Sequence, residues 1–273
     1  MNFTKNRSAL RNCIWLALMP APTKTSKAFM SRVVLPLILI SAIPAFSQSF
    51  RMNLEQDPSG WTACVYPLCN PGGQGTPTSV VVRKTGATEW PSSTLELSVT
   101  GPAGSNMLVF KKVGATNASN FMSDVWVFLD DSAFAGAYEY DIFAFNAPYE
   151  FMWGSQCRVG KEWDIWDQLH GTWIPTSAPC TLTQDKWHHV QWWVHRVPND
   201  TSCGGMPCLY YDRLGVDNVY TSFVNGKQPA GWIPGGWGND SGFQFQMDID
   251  DAPIYQANMT EFLQQANLVE SGN

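Results

Sequence analysis

The chain is poor in charge, in histidine and in helical patterning, and each shortage narrows what it can be. Asp, Glu, Lys and Arg make up only 15% of its 273 residues, and Lys and Arg number 17 against 23 Asp and Glu. With so few basic residues there is no patch to hold a phosphate backbone, which sets nucleic acid aside as a partner. The four histidines are His170, His188, His189 and His195. No Gly-x-Ser-x-Gly elbow accompanies them, so the usual nucleophile signature is missing. The glycine-rich run Pro71-Gly72-Gly73-Gln74-Gly75 lacks a following Lys-Ser/Thr and any helix pattern, so it reads as a loop and not a phosphate cradle. Apolar residues at three- and four-residue spacing are almost absent, which excludes a helical bundle.

Long hydrophobic runs are also lacking, with one exception. Arg32-Val33-Val34-Leu35-Pro36-Leu37-Ile38-Leu39-Ile40 continues to Ala45-Phe46-Ser47. A positive start, a short apolar stretch and a small-x-small end are the parts of a secretory signal. The stretch is too short and too interrupted by proline to serve as a permanent span, so none is expected in the mature chain. Residues 1–47 are therefore expected to be a disordered or helical signal segment that is cleaved, with Met30 the expected true start. Residues 48–273 are expected to form one domain in a secreted or periplasmic protein. The segment 1–47 holds six basic and no acidic residues, which leaves 11 Lys and Arg against 23 Asp and Glu, a net charge of about −12. That balance disfavours acidic polymers and leaves neutral ligands in front.

Six cysteines follow the signal: Cys64, Cys69, Cys157, Cys180, Cys203 and Cys208. Export makes disulfides the default use. Two short loops, Cys64 to Cys69 and Cys203 to Cys208, contain turn formers, so the spacing favours those pairs and leaves Cys157 with Cys180. A four-residue gap with no nearby histidine is a loose fit to a zinc site.

From Val80 onward the text alternates apolar and polar residues between Gly, Pro, Asn and Asp, the pattern of strands. The segments are Ser79–Lys84, Leu95–Thr100, Met107–Lys112, Ser123–Leu129, Tyr138–Phe145, Glu150–Ser155, Trp163–Gln168, His188–Val197, Leu209–Asp212, Asn218–Val224 and Gly242–Ile249. So many short strands in one domain predict an all-β fold, a two-sheet antiparallel sandwich. The tail from Thr260 to Val269 reads either as a helix with Phe262, Leu263, Ala266 and Val269 on one face or as a closing strand.

Alternation also assigns faces. Val125, Val127 and Leu129 point to the core and Asp124, Trp126 and Phe128 away from it. Tyr140 and Ile142 oppose Glu139, Asp141 and Phe143; Val190, Trp192 and Val194 oppose His189, Gln191, Trp193 and His195; Phe243, Phe245, Met247 and Ile249 oppose Gln244, Gln246 and Asp248. If these strands share a sheet, Trp126, Glu139, Asp141, Gln191, Trp193, His195, Gln244, Gln246 and Asp248 form one aromatic and polar face. Flat rings stack on pyranose faces while carboxylates and amides bind hydroxyls, so the face suits a neutral oligo- or polysaccharide. Arg196 falls on the opposite phase.

Three passages, Tyr138-Glu139-Tyr140-Asp141-Ile142-Phe143, Trp187-His188-His189-Val190-Gln191-Trp192-Trp193-Val194 and Gly242-Phe243-Gln244-Phe245-Gln246-Met247-Asp248, resemble strands of the concanavalin A-like lectin and glucanase superfamily. The layout around Cys157 and Cys180 looks like that of uncharacterised secreted bacterial members. The resemblance, over roughly residues 60 to 269, implies a jelly roll in which lectins, glycosidases and lyases share a scaffold. In its retaining glucanases Glu-x-Asp is followed by a second Glu. Glu139 and Asp141 match the first two, and the second Glu would fall at Phe143 or Ala144, so it is missing. Retaining hydrolysis needs that second carboxyl, and the expectation leans to a lectin-like binder without catalysis. A glycosidase through Glu139 or Asp141, a lyase using Tyr138, His189, His195 and the glutamines, and a structural surface domain are the alternatives. No cofactor is expected; Asp248-Ile249-Asp250-Asp251 and Asp130-Asp131 could supply oxygens to a structural calcium. Nothing in the sequence indicates an oligomeric state.

Overall fold

The computed structural model describes residues 50–53, 60–65, 75–85, 94–114, 118–130, 136–146, 149–198, 200–203, 205–223, 227–228, 233–234, 241–249 and 257–271. The expected signal segment and Cys69 fall outside them. Among the described residues the chain is almost wholly strand, with one short 3₁₀ turn at Thr201–Cys203 and no helix long and apolar enough to cross a membrane.

The strands run in chain order as β1 (Phe50–Asn53), β2 (Thr62–Val65), β3 (Ser79–Thr85), β4 (Thr94–Gly101), β5 (Ser105–Gly114) and β6 (Asn120–Leu129). Next come β7 (Ala137–Asn146), β8 (Tyr149–Trp153), β9 (Ser155–Arg158), β10 (Glu162–Asp167), β11 (Thr172–Pro179) and β12 (Trp187–Val197). The last are β13 (Cys208–Val216), β14 (Val219–Ser222), β15 (Lys227–Gln228), β16 (Ile233–Pro234), β17 (Ser241–Ile249) and β18 (Ala257–Ser271).

They form two nine-stranded antiparallel sheets. In the first, here the β12 sheet, the order is β14-β13-β12-β6-β18-β4-β3, with β1 and β15 at the sides. In the second, the β7 sheet, it is β11-β10-β9-β7-β17-β5-β2, with β8 and β16 attached. Neighbours distant in sequence, such as β7 beside β17 and β6 beside β18, give the crossed connections of a jelly roll. The all-β two-sheet sandwich read from the sequence is what folds.

Period-2 alternation drives the layering. Along β12 every second residue is buried, His188, Val190, Trp192, Val194 and Arg196, and along β6 the buried set includes Phe121, Ser123, Val125 and Val127. From the other sheet Tyr138, Tyr140, Ile142, Trp153 and Trp163 meet them. Trp153, Trp163 and Trp192 are fully buried and supply much of the apolar area removed from water.

The tail is the closing strand β18, not a helix. It pairs with β4, β6 and β1, and three partners for its backbone outweigh the helical spacing of a few apolar residues. A register shift between Gln264 and Asn267 lets both Leu263 and Leu268 reach the core. The sequence also passed over β11, whose Pro175 and Pro179 read as loop; as an edge strand it can carry them.

Cys157 is bonded to Cys180 and Cys203 to Cys208, and Cys64 on β2 is also disulfide-bonded. The Cys157–Cys180 link closes a 23-residue separation holding all of β10 and β11, a constraint on the unfolded chain of about 3 kcal/mol. Asp217 and Asn218 both adopt positive φ, 50° and 65°, and form the two-residue turn from β13 to β14 that Asp and Asn favour.

Candidate functional site

The nine residues read as one face lie on two. β6 and β12 belong to one sheet, β7 and β17 to the other. Alternation fixes the side of its own strand on which a residue stands, not the sheet that the strand joins, and the outer faces of a sandwich point in opposite directions. Trp126, Gln191, Trp193 and His195 are therefore separated by the core from Glu139 and Asp141, while Gln244, Gln246 and Asp248 lie on β17, beside β7, with side chains outside the described residues.

On the β12 sheet the outward rings pack against neighbours on adjacent strands. Trp126 stacks on its cross-strand partner His189, centroids 4.6 Å apart and planes within 5°, while His189 Nε2 donates to Asp124 at 2.6 Å. His195 stacks in the same way on Tyr210 at 4.6 Å and donates from Nδ1 to Asp212 at 2.7 Å. Trp193 carries the Arg213 guanidinium 3.9 Å over its ring and Tyr220 at its side. Cross-strand stacks and a cation over an aromatic face stabilise a sheet. His188 is likewise structural: Nε2 accepts from Thr183 N at 2.9 Å and Nδ1 donates to Asp217 at 2.8 Å, pinning the start of β12 to the β13–β14 turn.

The β7 sheet is built differently. β7 pairs with β8 and β9 in a single register, from Asn146↔Tyr149 to Ala137↔Arg158. Glu139 stands opposite Gln156, and Asp141 opposite Gly154 between the pairs Glu139↔Gln156 and Ile142↔Trp153. On its far edge β7 pairs with β17, which sets Gln246 opposite Glu139 and Gln244 opposite Asp141, with Asp248 opposite Ala137. β10 adds Asp164 opposite Gln156, and Trp166 N donates to Gly154 O at 3.1 Å. β11 then places Trp173 opposite Trp166.

By backbone register, two rows thus run across this sheet. One reads Gln244, Asp141, Gly154, Trp166, Trp173, and the other Gln246, Glu139, Gln156, Asp164. Trp166 and Trp173 lean together with centroids 5.1 Å apart at 59°, and both are half-buried. Trp166 Nε1 donates to Gln168 at 2.7 Å, and Tyr211 reaches across the core to donate to Trp166 O at 2.9 Å, which fixes β10 from below. The carboxylates lie deeper: Glu139 is 4% exposed and Asp141 fully buried, with Asp141 Oδ1 accepting from Ser155 N at 3.1 Å.

Arg158 is held in a fork. Its Nη2 donates to Glu162 at 3.0 Å, and Nε and Nη2 meet the two oxygens of Asp164 at 2.6 and 3.0 Å. Burial raises the Asp164 carboxyl above its ordinary value, with Arg158 pulling it back. Thr176 and Ser177, the latter at φ 63°, form a bulge that turns β11 beside this fork; Thr176 Oγ1 donates to Trp163 O and Ser177 N to Glu162. At the β10–β11 turn burial pushes the Asp167 carboxyl up, but hydrogen bonds from the His170 ring and the His170 and Leu169 amides outweigh it and leave it below its ordinary value. His170 is a turn residue, as its place before Gly171 suggested.

The second glucanase Glu has no counterpart along β7. The next outward position after Asp141 is Phe143, 9% exposed. Among the described residues no group of His, Cys, Asp and Glu is arranged to hold a metal ion, and Asp131, Asp250 and Asp251 fall outside them. Trp166, Trp173, Gln156 and Asp164 were missed as site residues, although Trp163-Asp164-Ile165-Trp166 alternates and its outward pair was readable.

Fold and face together define a two-sheet jelly-roll sandwich with an aromatic-flanked polar row. Solved structures similar to it include the cellulose-induced protein Cip1, at 12% identity and a TM-score of 0.47, covering 82% of this chain and 97% of that one. A Bacteroides ovatus mixed-linkage glucan GH16 protein is similar at 12% identity and a TM-score of 0.44, covering 82% and 99%. A carbohydrate-binding module of the β-sandwich superfamily is similar at 12% identity and a TM-score of 0.38, covering 78% and 57%. No protein-family model matches the sequence, and no curated protein matches it.

Proposed function

We propose that the chain is an exported, non-catalytic saccharide-binding sandwich whose ligand lies along the β7–β11 face, between the Trp166–Trp173 pair and the Glu139–Asp141 line. The observation that carries this is the row itself: two half-exposed tryptophans continue directly into carboxylates and amides on one face. That is the mixture of apolar wall and directed polar groups on which sugars are held. The net charge of about −12 after residue 47 supports a ligand without acidic groups.

Absence of catalysis is supported by Phe143 in place of a second Glu and by Asp164, the carboxyl two strands from Glu139, being forked to Arg158. Neutral β-glucans should retard the protein in affinity electrophoresis, and Trp173→Ala should weaken binding about tenfold while leaving the thermal midpoint close to wild type. Unaltered retardation in Trp173→Ala would remove this face as the site. Release of reducing ends that disappears in Glu139→Gln would replace the binder by a hydrolase.

Export rests on the segment before residue 48 and on the disulfides, which an oxidising compartment maintains. N-terminal sequencing of protein recovered from outside the cytoplasm should begin at Gln48. A mature chain retaining residues 1–47 would sink the signal reading.

A further inference from the structure

Gln156 lies on β9, and its cross-strand and along-strand neighbours all fall among the described residues. Glu139 and Asp164 stand opposite it on β7 and β10, Gly154 and Arg158 are two residues away on either side, and the adjacent Cys157 points into the core. The side chain is 8% exposed, yet its Oε1 has no hydrogen-bond partner. Among the described residues its amide nitrogen makes no hydrogen bond either. Buried polar side chains are almost always paired, so what meets an amide held this deep with neither end engaged comes from outside the chain.

Trp166, two residues beyond Asp164 on β10, is the diagonal neighbour of Gln156, a spacing of about 7–8 Å in a sheet. A sugar ring stacked on Trp166 brings its edge toward the amide. The amide offers an acceptor and, beside it in one plane, a donor. Two hydroxyls on neighbouring ring carbons satisfy both, one donating to Oε1 and the other accepting from Nε2. A lone hydroxyl leaves one end unmet, which costs free energy at a buried site. The last torsion of a glutamine is broad, so the amide can turn to face such a pair.

Linkage decides which saccharides carry that pair inside a chain. In a 1,4-linked polymer each internal pyranose keeps free hydroxyls on the adjacent carbons 2 and 3. A 1,3-linkage consumes one of them and leaves carbons 2 and 4, which are not adjacent. Resting on the saccharide reading above, we infer that Gln156 is a specificity-determining residue and that the ligand is a 1,4-linked neutral saccharide, held through its 2,3-diol.

Calorimetric titration with the β-1,4-linked and the β-1,3-linked glucose hexamers tests this. Wild type should bind the 1,4-linked hexamer about tenfold more tightly, the increment of one hydrogen bond at a buried site. Gln156→Met is near-isosteric and has no amide; it should lose that margin by weakening the 1,4-linked hexamer alone, with circular dichroism that of the wild type. Gln156→Asn keeps the amide but withdraws it by one carbon, and should lose the same margin without placing an apolar group in the row. Equal affinities in wild type, or tighter binding of the 1,3-linked hexamer, would overturn the inference and leave the saccharide reading standing. A margin that survives in both variants would overturn it too, because chain shape and not the amide would then set the preference. No binding of either hexamer would overturn the saccharide reading with it.

Discussion

Replacing Glu261 by Gln should raise stability at alkaline pH by several kcal/mol and remove most of the difference between acid and alkaline stability. Glu261 sits on β18 between Leu97 and Leu129 of its neighbours and is fully buried. It faces the hydroxyl of Tyr140 across the core, yet neither of its oxygens makes a well-formed hydrogen bond among the described residues. Burial pushes the Glu261 carboxyl from 4.5 up to about 8, with the Tyr140 hydroxyl pulling weakly the other way. Burial and the adjacent Glu261 also raise the Tyr140 hydroxyl well above its ordinary value.

The folded chain therefore keeps a proton that the unfolded chain releases above about pH 4.5. Stability is highest below that pH and falls as pH rises toward 8, by about 1.4 kcal/mol per unit, then levels once both states are ionised. The full span is about 5 kcal/mol, an upper figure because water entering the core softens the cost of the charge. Glutamine keeps the shape and cannot ionise. Wild type and Glu261→Gln should melt close together near pH 4.5 and about 10 °C apart at pH 9, where about 3 to 4 kcal/mol separates them. Thermal midpoints measured across that range test this, and two curves that run parallel would show that Glu261 does not hold its proton in the fold.

Glu261 also shows where the sequence stopped being informative. Alternation in β6, β7, β12 and β17 was strong enough to read, and the sandwich and inward residues such as Val125, Tyr140 and Trp192 followed from it. Glu261 breaks the rule that a polar residue marks the outer face, and the register shift at Gln264 breaks period 2 further on, so β18 resembled a helix as much as a strand. The partition of strands between sheets was not legible at all, because it depends on long-range pairings such as β7 with β17. That is why Trp193 and Glu139, each read correctly as outward, were placed together when the core divides them. The β10–β11 part of the site was hidden for a local reason. Pro175 and Pro179 disguised β11, and without β11 there was no partner to make Trp166 half of an aromatic pair.

Gly154 is the residue on which that pair depends, and substituting it should damage the fold and the site together. It is opposite Asp141, and a Cβ built there would lie 2.7 Å from Trp166 Cβ and 3.3 Å from both Met152 Cε and Trp173 Cη2. The nearest atom is no flexible tip. Trp166 Cβ is tied to the β10 backbone, whose amide donates to Gly154 O and whose carbonyl is held by Tyr211. Gly154→Ala must push β10 outward, at a cost of about 1 to 3 kcal/mol that exceeds the few tenths gained by restricting the unfolded chain. As β10 moves, Trp166 and Trp173 leave the line of Glu139 and Asp141, and saccharide retardation should fall by more than in Trp173→Ala. Gly60→Ala is the internal control. There the close atoms are Cε and Nζ of Lys111, at 2.8 and 2.9 Å, which can swing into solvent, so its cost should be within about 0.5 kcal/mol. Urea midpoints that place Gly154→Ala beside Gly60→Ala would mean that β10 yields freely, and that the tryptophan pair is not positioned by the glycine beneath it.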